Sequence, residues 1–353
     1  MSRILKPLFV ACLLLTLFCG AGAANAASLK CGSWRVVPSP NQGTYGDLLY
    51  SVTAITTSNV WAVGDYNLAN GNGPETLVEH WDGNQWTIVS SPNPPSSGND
   101  FFDVATISAN DIWAVGLTTN STSEHTLTEH WDGTQWSIVP SPGTVELVAV
   151  AAVSSNDVWA VGNTSILHWN GSKWSIVQAN VPGGLSGLSV VSANDIWAVG
   201  ASNDATLIEH WDGTQWSVVP SPSPAGIYTG LLKVTAIATN DVWAVGSYQV
   251  VDTLGEDIAL PLTEHWNGSS WRIVPAPRGK FDYSMLFGVT ATSTNNVWAV
   301  GYQKIIEHWN GTSWSVVPGA RDTLNDVMAI AGTSQVWAVG RTQDLRTLIE
   351  YYC

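Results

Sequence analysis

The sequence predicts an all-β protein, a seven-bladed β-propeller built from four-stranded antiparallel blades. A hexapeptide of the type Asp111–Gly116 (DIWAVG) recurs seven times, and a block with paired tryptophans, of the type Glu209–Trp216, follows six of the copies. The repeat period is roughly 38 to 55 residues, and no sustained helical periodicity interrupts it. Radial repetition of four-stranded units is typical of propellers, which protect their sheet edges in this way. The tryptophans central to the hexapeptides are Trp61, Trp113, Trp159, Trp197, Trp243, Trp298 and Trp337.

The N-terminal residues 1–26 have the pattern of a secretory leader. Arg3 and Lys6 precede a short apolar run, and Ala24-Asn25-Ala26 offers a small-x-small cleavage site. The run is too short to span a bilayer comfortably, and no later segment replaces it. We therefore expect cleavage after about Ala26, a secreted, extracellular protein without membrane insertion, and a propeller domain over residues 27–353.

Charge restricts the partners. The formal net charge is −15, and removal of Arg3 and Lys6 with the leader makes it −17. Binding to nucleic acid or anionic membranes relies on Lys and Arg at the phosphates, so we expect neither partner. The composition is equally that of a secreted protein that stays dissolved as a monomer. No phosphate-binding glycine motif, nucleophile elbow or paired CxxC motif follows the leader, and the sequence predicts no cofactor and no metal site.

Each repeat divides into strands A to D. In the first blade these are expected at Tyr50–Thr56, Val60–Gly64, Thr76–Trp81 and Trp86–Val89, all rich in β-branched and aromatic residues. The turns from A to B and from C to D are short and similar in every blade, and the C to D turns carry Asp-Gly or Asn-Gly. The connections from B to C and from D to A vary in length and content. They emerge together on one face of a propeller, which we call the variable face.

The chain ends predict how the ring closes. Residues 32–38 match a strand D without an A, B or C before it, whereas the last repeat, residues 326–353, stops after strand C. The N-terminal strand therefore completes the seventh blade. Cys31 and Cys353, the two cysteines outside the leader, then fall in the interrupted C to D turn, and export permits a disulfide between them.

Repeated side chains are expected to build the core. All 20 tryptophans stand at repeat positions, three in each blade except where Tyr352 replaces one. The strand-C histidines lie on separate blades and diverge, so we expect hydrogen bonds to the A to B turns, for example to Asp111 and Asp157, in place of metal binding. The adjacent strand-C glutamates are expected to be architectural. The histidines are His80, His130, His168, His210, His265 and His308, and the glutamates are Glu79, Glu129, Glu209, Glu264, Glu307 and Glu350.

These repeats resemble a known group. The pairing of VWAVG with WDGxxW, as in Trp197–Gly200 and Trp211–Trp216, is similar to the repeats of exported bacterial propellers related to Asp-box proteins, which include sialidase-like propellers and the photosystem II assembly-factor family. The resemblance implies a propeller over residues 29–353. The full Asp-box is absent, because His80 and His130 stand where it has Ser or Thr. No arginine triad of the sialidase type matches, so the resemblance implies no catalytic residue.

Function is expected on the variable face, because binding residues concentrate on variable loops of rigid scaffolds. The position that opens strand A carries charged residues in three blades, Asp103, Lys233 and Asp326, which should lie at the channel mouth. Loop tyrosines offer a platform for a sugar or a peptide, with Lys233 as a further ligand-binding candidate. These tyrosines are Tyr66, Tyr228, Tyr248, Tyr283 and Tyr302.

Three functions remain open from the sequence. The first is a non-catalytic propeller that binds a glycan or an extracellular protein through the variable face. The alternative is a glycoside hydrolase or polysaccharide lyase, in which Asp103, Asp326 or Asp282 act as acid and base. A purely structural surface or matrix protein is the third.

Overall fold

The computed structural model describes residues 31–69, 73–95, 98–120, 122–143, 145–179, 181–252, 254–279, 283–319 and 321–353. The predicted leader and Asp282 lie outside these residues. The described chain contains 28 strands and no helix, and it forms seven antiparallel sheets of four strands each. The predicted seven-bladed β-propeller is confirmed.

Within each of blades 1 to 6 the four strands lie side by side in chain order. The first strand, β1 (Arg35–Val36), belongs to the last blade. Blade 1 contains β2 (Gly46–Thr56), β3 (Asn59–Asn67), β4 (Pro74–Trp81) and β5 (Trp86–Ile88). Blade 2 contains β6 (Gly98–Ser108), β7 (Asp111–Thr119), β8 (Glu124–Trp131) and β9 (Trp136–Ile138). Blade 3 contains β10 (Leu147–Ser154), β11 (Asp157–Gly162), β12 (Ser165–Trp169) and β13 (Trp174–Ala179).

The second half of the ring repeats the pattern. Blade 4 contains β14 (Gly184–Ser192), β15 (Asp195–Ser202), β16 (Ala205–Trp211) and β17 (Trp216–Val218). Blade 5 contains β18 (Ile227–Ala238), β19 (Asp241–Val251), β20 (Asp257–Trp266) and β21 (Trp271–Ile273). Blade 6 contains β22 (Leu286–Ser293), β23 (Asn296–Gly301), β24 (Ile306–Trp309) and β25 (Trp314–Val316). In blade 5, β19 and β20 form a hairpin that extends through most of residues 247–261, where the sequence predicted a loop of the variable face.

Blade 7 closes the ring as predicted. It contains β26 (Thr323–Ala329), β27 (Val336–Arg341) and β28 (Thr347–Tyr352), and β1 pairs with β28 as the outer strand. Cys31 and Cys353 are joined by a disulfide, with Cα atoms 4.6 Å apart and a sequence separation of 322. The closure of the ring thus combines strand pairing with a covalent bond.

Tryptophans form the contacts between blades. Trp113 on β7 lies 4.9 Å from Trp169 and 5.3 Å from Trp174 of the next blade, measured between ring centroids. Trp337 on β27 packs in the same way on Trp81 of blade 1, at 5.1 Å. Because the ring of each strand B fills the space beside the C to D hairpin of its neighbour, the repeated tryptophans hold the blades together around the whole circle.

The strand-C histidines are structural, as predicted. His130 Nε2 lies 2.8 Å from Asp111 Oδ1 of the same blade, and the imidazole packs on the Trp113 ring with centroids 4.6 Å apart. The same pair recurs as His168 with Asp157. The bond orients the imidazole and gives a partly buried carboxylate oxygen a hydrogen-bond partner. The remaining blades with a strand-C histidine repeat it as His80 with Asn59, His210 with Asp195, His265 with Asp241 and His308 with Asn296.

The strand-C glutamates are buried between blades. Both carboxyl oxygens of Glu129, Glu264 and Glu307 have no hydrogen-bond partner among the described residues. Burial raises the pKa of each of these three side chains to about 8, because a low-dielectric environment disfavours the charged form. In blade 3 the position is Leu167, which shows that an apolar side chain also fits there.

Candidate functional site

The charged residues that open strand A meet on the propeller axis. Lys233 of blade 5 extends across the axis, and its Nζ lies 3.0 Å from Asp103 Oδ1 of blade 2 and 3.4 Å from Asp326 Oδ2 of blade 7. Ser51 of blade 1 donates from Oγ to the same two carboxylates, at 2.6 and 2.9 Å. We call Ser51, Asp103, Lys233 and Asp326 the axial cluster. It lies in a channel of about 290 Å³.

Asp103 and Asp326 also cap exposed strand edges. Asp103 Oδ2 accepts a hydrogen bond from the Val150 backbone N–H, and Asp326 Oδ2 accepts one from Val52 N–H. Strand A is an edge strand whose N–H groups face the channel, so each carboxylate satisfies a donor of the following blade. Both aspartates are 3% exposed. They thus form buried structural contacts, and the structure does not present them as an open acid and base pair.

The electrostatics of the axial cluster favour ion pairing. Burial lowers the pKa of Lys233, but the charges of Asp103 and Asp326 outweigh it and raise that pKa above its ordinary value. Burial raises the pKa of Asp326 against the opposing charge of Lys233. Small residues leave room for the cluster: a Cβ on Gly187 would come within 2.9 Å of the Lys233 Cα.

The predicted tyrosines do not form one platform. Tyr66 is buried, at 6% exposure, and its hydroxyl donates to Glu75. Tyr248 packs partly buried in the core between blades 4 and 5. Tyr228 is 69% exposed and stands apart at the start of β18. Only Tyr283 and Tyr302 line a common cavity.

This cavity belongs to a groove over blades 6 and 7 of the variable face. Its inner part holds about 330 Å³ and is lined by Tyr283, Met285, Phe287, Tyr302, Thr323, Asn325 and Arg341. Two further cavities, of about 250 and 370 Å³, adjoin it because both are also lined by Tyr302. An apolar concavity with a few polar groups is the usual form of a binding site. We call the three cavities together the Tyr302 groove.

Tyr302 stands on a short, constrained turn between β23 and β24. Gln303 and Lys304 have positive φ angles of 53° and 72°. The Gly301 N–H donates to the Ile305 carbonyl, and the Lys304 N–H donates to the Asp322 carbonyl of the 6 to 7 connection. The groove is therefore preformed. Tyr283 and Tyr302 were predicted from the sequence as site residues, whereas Phe287, Arg341 and Lys304 were not; the departure of these three from the repeat pattern was the available signal.

A second group of titratable residues lies on the variable face near blades 1 and 2. Burial, and then the charge of Asp100, raise the pKa of Asp65 to about 7. Burial raises the pKa of Asp100 to about 6. The Tyr50 hydroxyl donates a hydrogen bond to Asp65. These carboxyl groups titrate near neutral pH, which sequence patterns alone do not reveal.

The chain is similar in fold to solved propellers. No protein-family model and no curated protein matches the sequence. The structure described as YCF48 bound to D1 peptide aligns at 15% identity and a TM-score of 0.62, covering 92% of this chain and 98% of that chain. YCF48 from Cyanidioschyzon merolae aligns at 14% identity and a TM-score of 0.63, covering 91% and 99%. The WD40 propeller domain of Doa1 aligns at 12% identity and a TM-score of 0.61, covering 90% and 96%. The likeness establishes the fold.

Two further findings concern the described residues. No group of three or more His, Cys, Asp or Glu side chains is arranged there to hold a metal ion. Among these residues, too, no helix is long and apolar enough to cross a membrane.

Proposed function

We propose that this chain is an exported interaction propeller that binds an extended segment of a partner protein in the Tyr302 groove. The observation that carries the proposal is the groove itself. Its inner cavity is lined by two tyrosines, Phe287, Met285 and the charged side chain of Arg341. Aromatic and arginine side chains in concave sites are the usual anchors of protein interfaces. The leader-like N-terminus and the Cys31–Cys353 disulfide support export.

The fold comparison supports a peptide ligand. One of the similar propellers is described as bound to a D1 peptide. The length of the groove, with three adjoining cavities, suits an extended chain that places successive side chains in separate pockets.

The test is selection of a random peptide library displayed on phage against the protein from residue 27 onward. We expect enriched peptides that lose binding by about tenfold or more in Tyr302→Ala and Arg341→Ala, because truncation of an interface anchor costs 2 kcal/mol or more. Tyr228→Ala, an exposed tyrosine outside the groove, is the matched control and should bind as the unmodified protein does. Absence of enriched peptides, or peptides insensitive to both groove variants, would refute the proposal.

A glycan is the second candidate ligand, because Tyr283 and Tyr302 offer ring surfaces beside Asn325 and Arg341. A glycan panel screened with the same variants distinguishes it by retention that depends on Tyr302.

Glycoside hydrolysis is favoured by one observation, the near-neutral pKa values of Asp65 and Asp100 beside Tyr50. It requires released products from the same panel, and these must disappear in Asp65→Asn and Asp100→Asn.

A further inference from the structure

The outer cavity of the Tyr302 groove lies in blade 6, which lacks a contact that four other blades have; blades 3 and 5 lack it too, with alanine in place of the serine in both. In four blades a threonine of strand C shares a hydrogen bond with a serine that follows strand D. The pairs are Thr76 with Ser91, Thr126 with Ser141, Thr206 with Ser221 and Thr347 with Ser39, at 2.7 to 2.8 Å. In blade 6 the corresponding residues are Lys304 and Gly319. In blade 6 the residues that follow strand D therefore do not form this hydrogen bond with strand C.

At this place in blade 6 a cavity of about 370 Å³ lies at the rim of the blade. Its wall is mainly apolar and includes Ile305, Val316, Val317 and Pro318. Gly319 is held in place by the closure strand, because a Cβ there would lie 2.3 Å from the Trp34 Cβ. A serine does not fit without a shift of Trp34, so the chain cannot simply restore the contact. We call this space the rim cavity.

Among the described residues that line the rim cavity, Lys304 is the cationic one. Lys304 lines it and is exposed, and no carboxylate of the described chain forms a salt bridge with its ammonium group. An apolar cavity beside an unpaired ammonium group complements a ligand that has an apolar body and a carboxylate. The charge is distinctive on a protein with a formal net charge of −15.

We propose that the rim cavity binds an apolar carboxylate, with the apolar group buried against Ile305 and Val316 and the carboxylate beside Lys304. This inference rests on the proposed function for the source of the ligand: in a partner segment it corresponds to an aliphatic or aromatic side chain next to an acidic one. The buried apolar group acts as an anchor, and the carboxylate sets its orientation.

The experiment uses three small probes of one shape, 4-phenylbutyrate, 4-phenylbutyramide and 4-phenylbutylamine, with binding measured by ligand-observed NMR up to about 10 mM, since fragments of this size bind in the millimolar range. We expect the carboxylate to bind about twofold to fivefold more tightly than the amide, which is the size of an exposed ion pair. The amine should bind most weakly. Equal binding of the three probes, or no binding of the carboxylate, overturns the proposal.

Variants localise the site. Val316→Glu places a charge in the apolar wall and should abolish binding of the carboxylate. Val218→Glu is the matched control, since Val218 is the same residue of strand D in blade 4, is similarly exposed, and lies in a blade whose Thr206–Ser221 contact is intact. Lys304→Gln, which removes the charge without placing a β-branched residue at the positive φ of this position, should remove the preference for the carboxylate over the amide and leave amide binding unchanged. A Val316→Glu protein that binds 4-phenylbutyrate normally also overturns the proposal.

The two proposals fail separately. Probe binding without any enriched peptide leaves the rim cavity as a small-molecule site and refutes the peptide function. Enriched peptides that depend on Tyr302 but are insensitive to Val316→Glu and Lys304→Gln refute the rim-cavity inference alone.

Discussion

Replacement of Lys233 by methionine should strongly destabilise the propeller. The variant leaves Asp103 and Asp326 buried on the axis, each 3% exposed, without the ammonium group that lies 3.0 and 3.4 Å from them. Removal of one partner from a buried ion pair costs about 3 to 5 kcal/mol, because the remaining charge stays desolvated. Asp326 Oδ1 already has no partner among the described residues, so no local donor replaces the lost one.

Denaturation by guanidinium chloride, followed through the buried tryptophans, measures this loss. The triple variant Asp103→Asn, Lys233→Met, Asp326→Asn removes all three charges and keeps amide oxygens that accept from the Val150 and Val52 N–H groups. It should recover more than half of the lost stability, since replacing a whole buried ion pair is often close to neutral.

The pH dependence of the Lys233→Met protein gives an independent check. Burial already raises the pKa of Asp326 in the folded state, and removal of the lysine removes the charge that opposes this shift. The contribution of Asp326 to stability is then largest at low pH and is lost as pH rises through its folded pKa. A Lys233→Met protein that lies within about 1 kcal/mol of the unmodified protein at neutral pH, or that gains nothing on acidification, refutes the account of the axial cluster.

Two further predictions concern the blades and their closure. The pKa of Glu129 is about 8 in the folded protein against an ordinary value of 4.5, so stability should fall as pH rises from about 4.5 to about 8, by up to roughly 4 kcal/mol for this residue. Glu129→Gln should flatten this part of the pH profile of unfolding, whereas Glu124→Gln, an exposed position on the same strand, should leave it unchanged. Cys353→Ser opens a loop of 322 residues and should cost on the order of 5 kcal/mol; equal denaturation midpoints for this variant and the oxidised unmodified protein would contradict it.

The architecture was predictable because each blade repeats the same turn and strand sequences. Asp-Gly and Asn-Gly turns define the C to D hairpins, and the alternating VWAVG strand fixes which side chains face the neighbouring blade. The closure was predictable because residues 32–38 match a strand that the last repeat lacks. The histidine contacts were predictable because strand C and the A to B turn are adjacent within a blade.

The axial cluster was predictable only in part. Repeat position places Ser51, Asp103, Lys233 and Asp326 at the same height near the axis, but it does not say which side chains cross it. Lys233 reaches blades 2 and 7 because its side chain is long and the residues at this height in blades 4 and 6 are Gly187 and Gly288. Asp103 and Asp326, which were predicted to lie at the channel mouth, therefore form buried contacts. Similarly, Tyr66 was predicted to be a loop residue, but it is buried because β3 extends to Asn67.

The rim cavity illustrates how a repeat protein can acquire a specific site without a long loop. Blade 5 carries an extended hairpin on the variable face, whereas blade 6 connects β23 to β24 through four residues, Tyr302 to Ile305. Cross-blade hydrogen bonds constrain this short turn, so the entropy lost on ligand binding is smaller than for a flexible loop. Lysine and glycine stand here at the positions that hold threonine and serine in four other blades, and the lysine places a charge at the edge of the cavity. A few side-chain changes on a rigid scaffold thus distinguish this place from its equivalents in those blades.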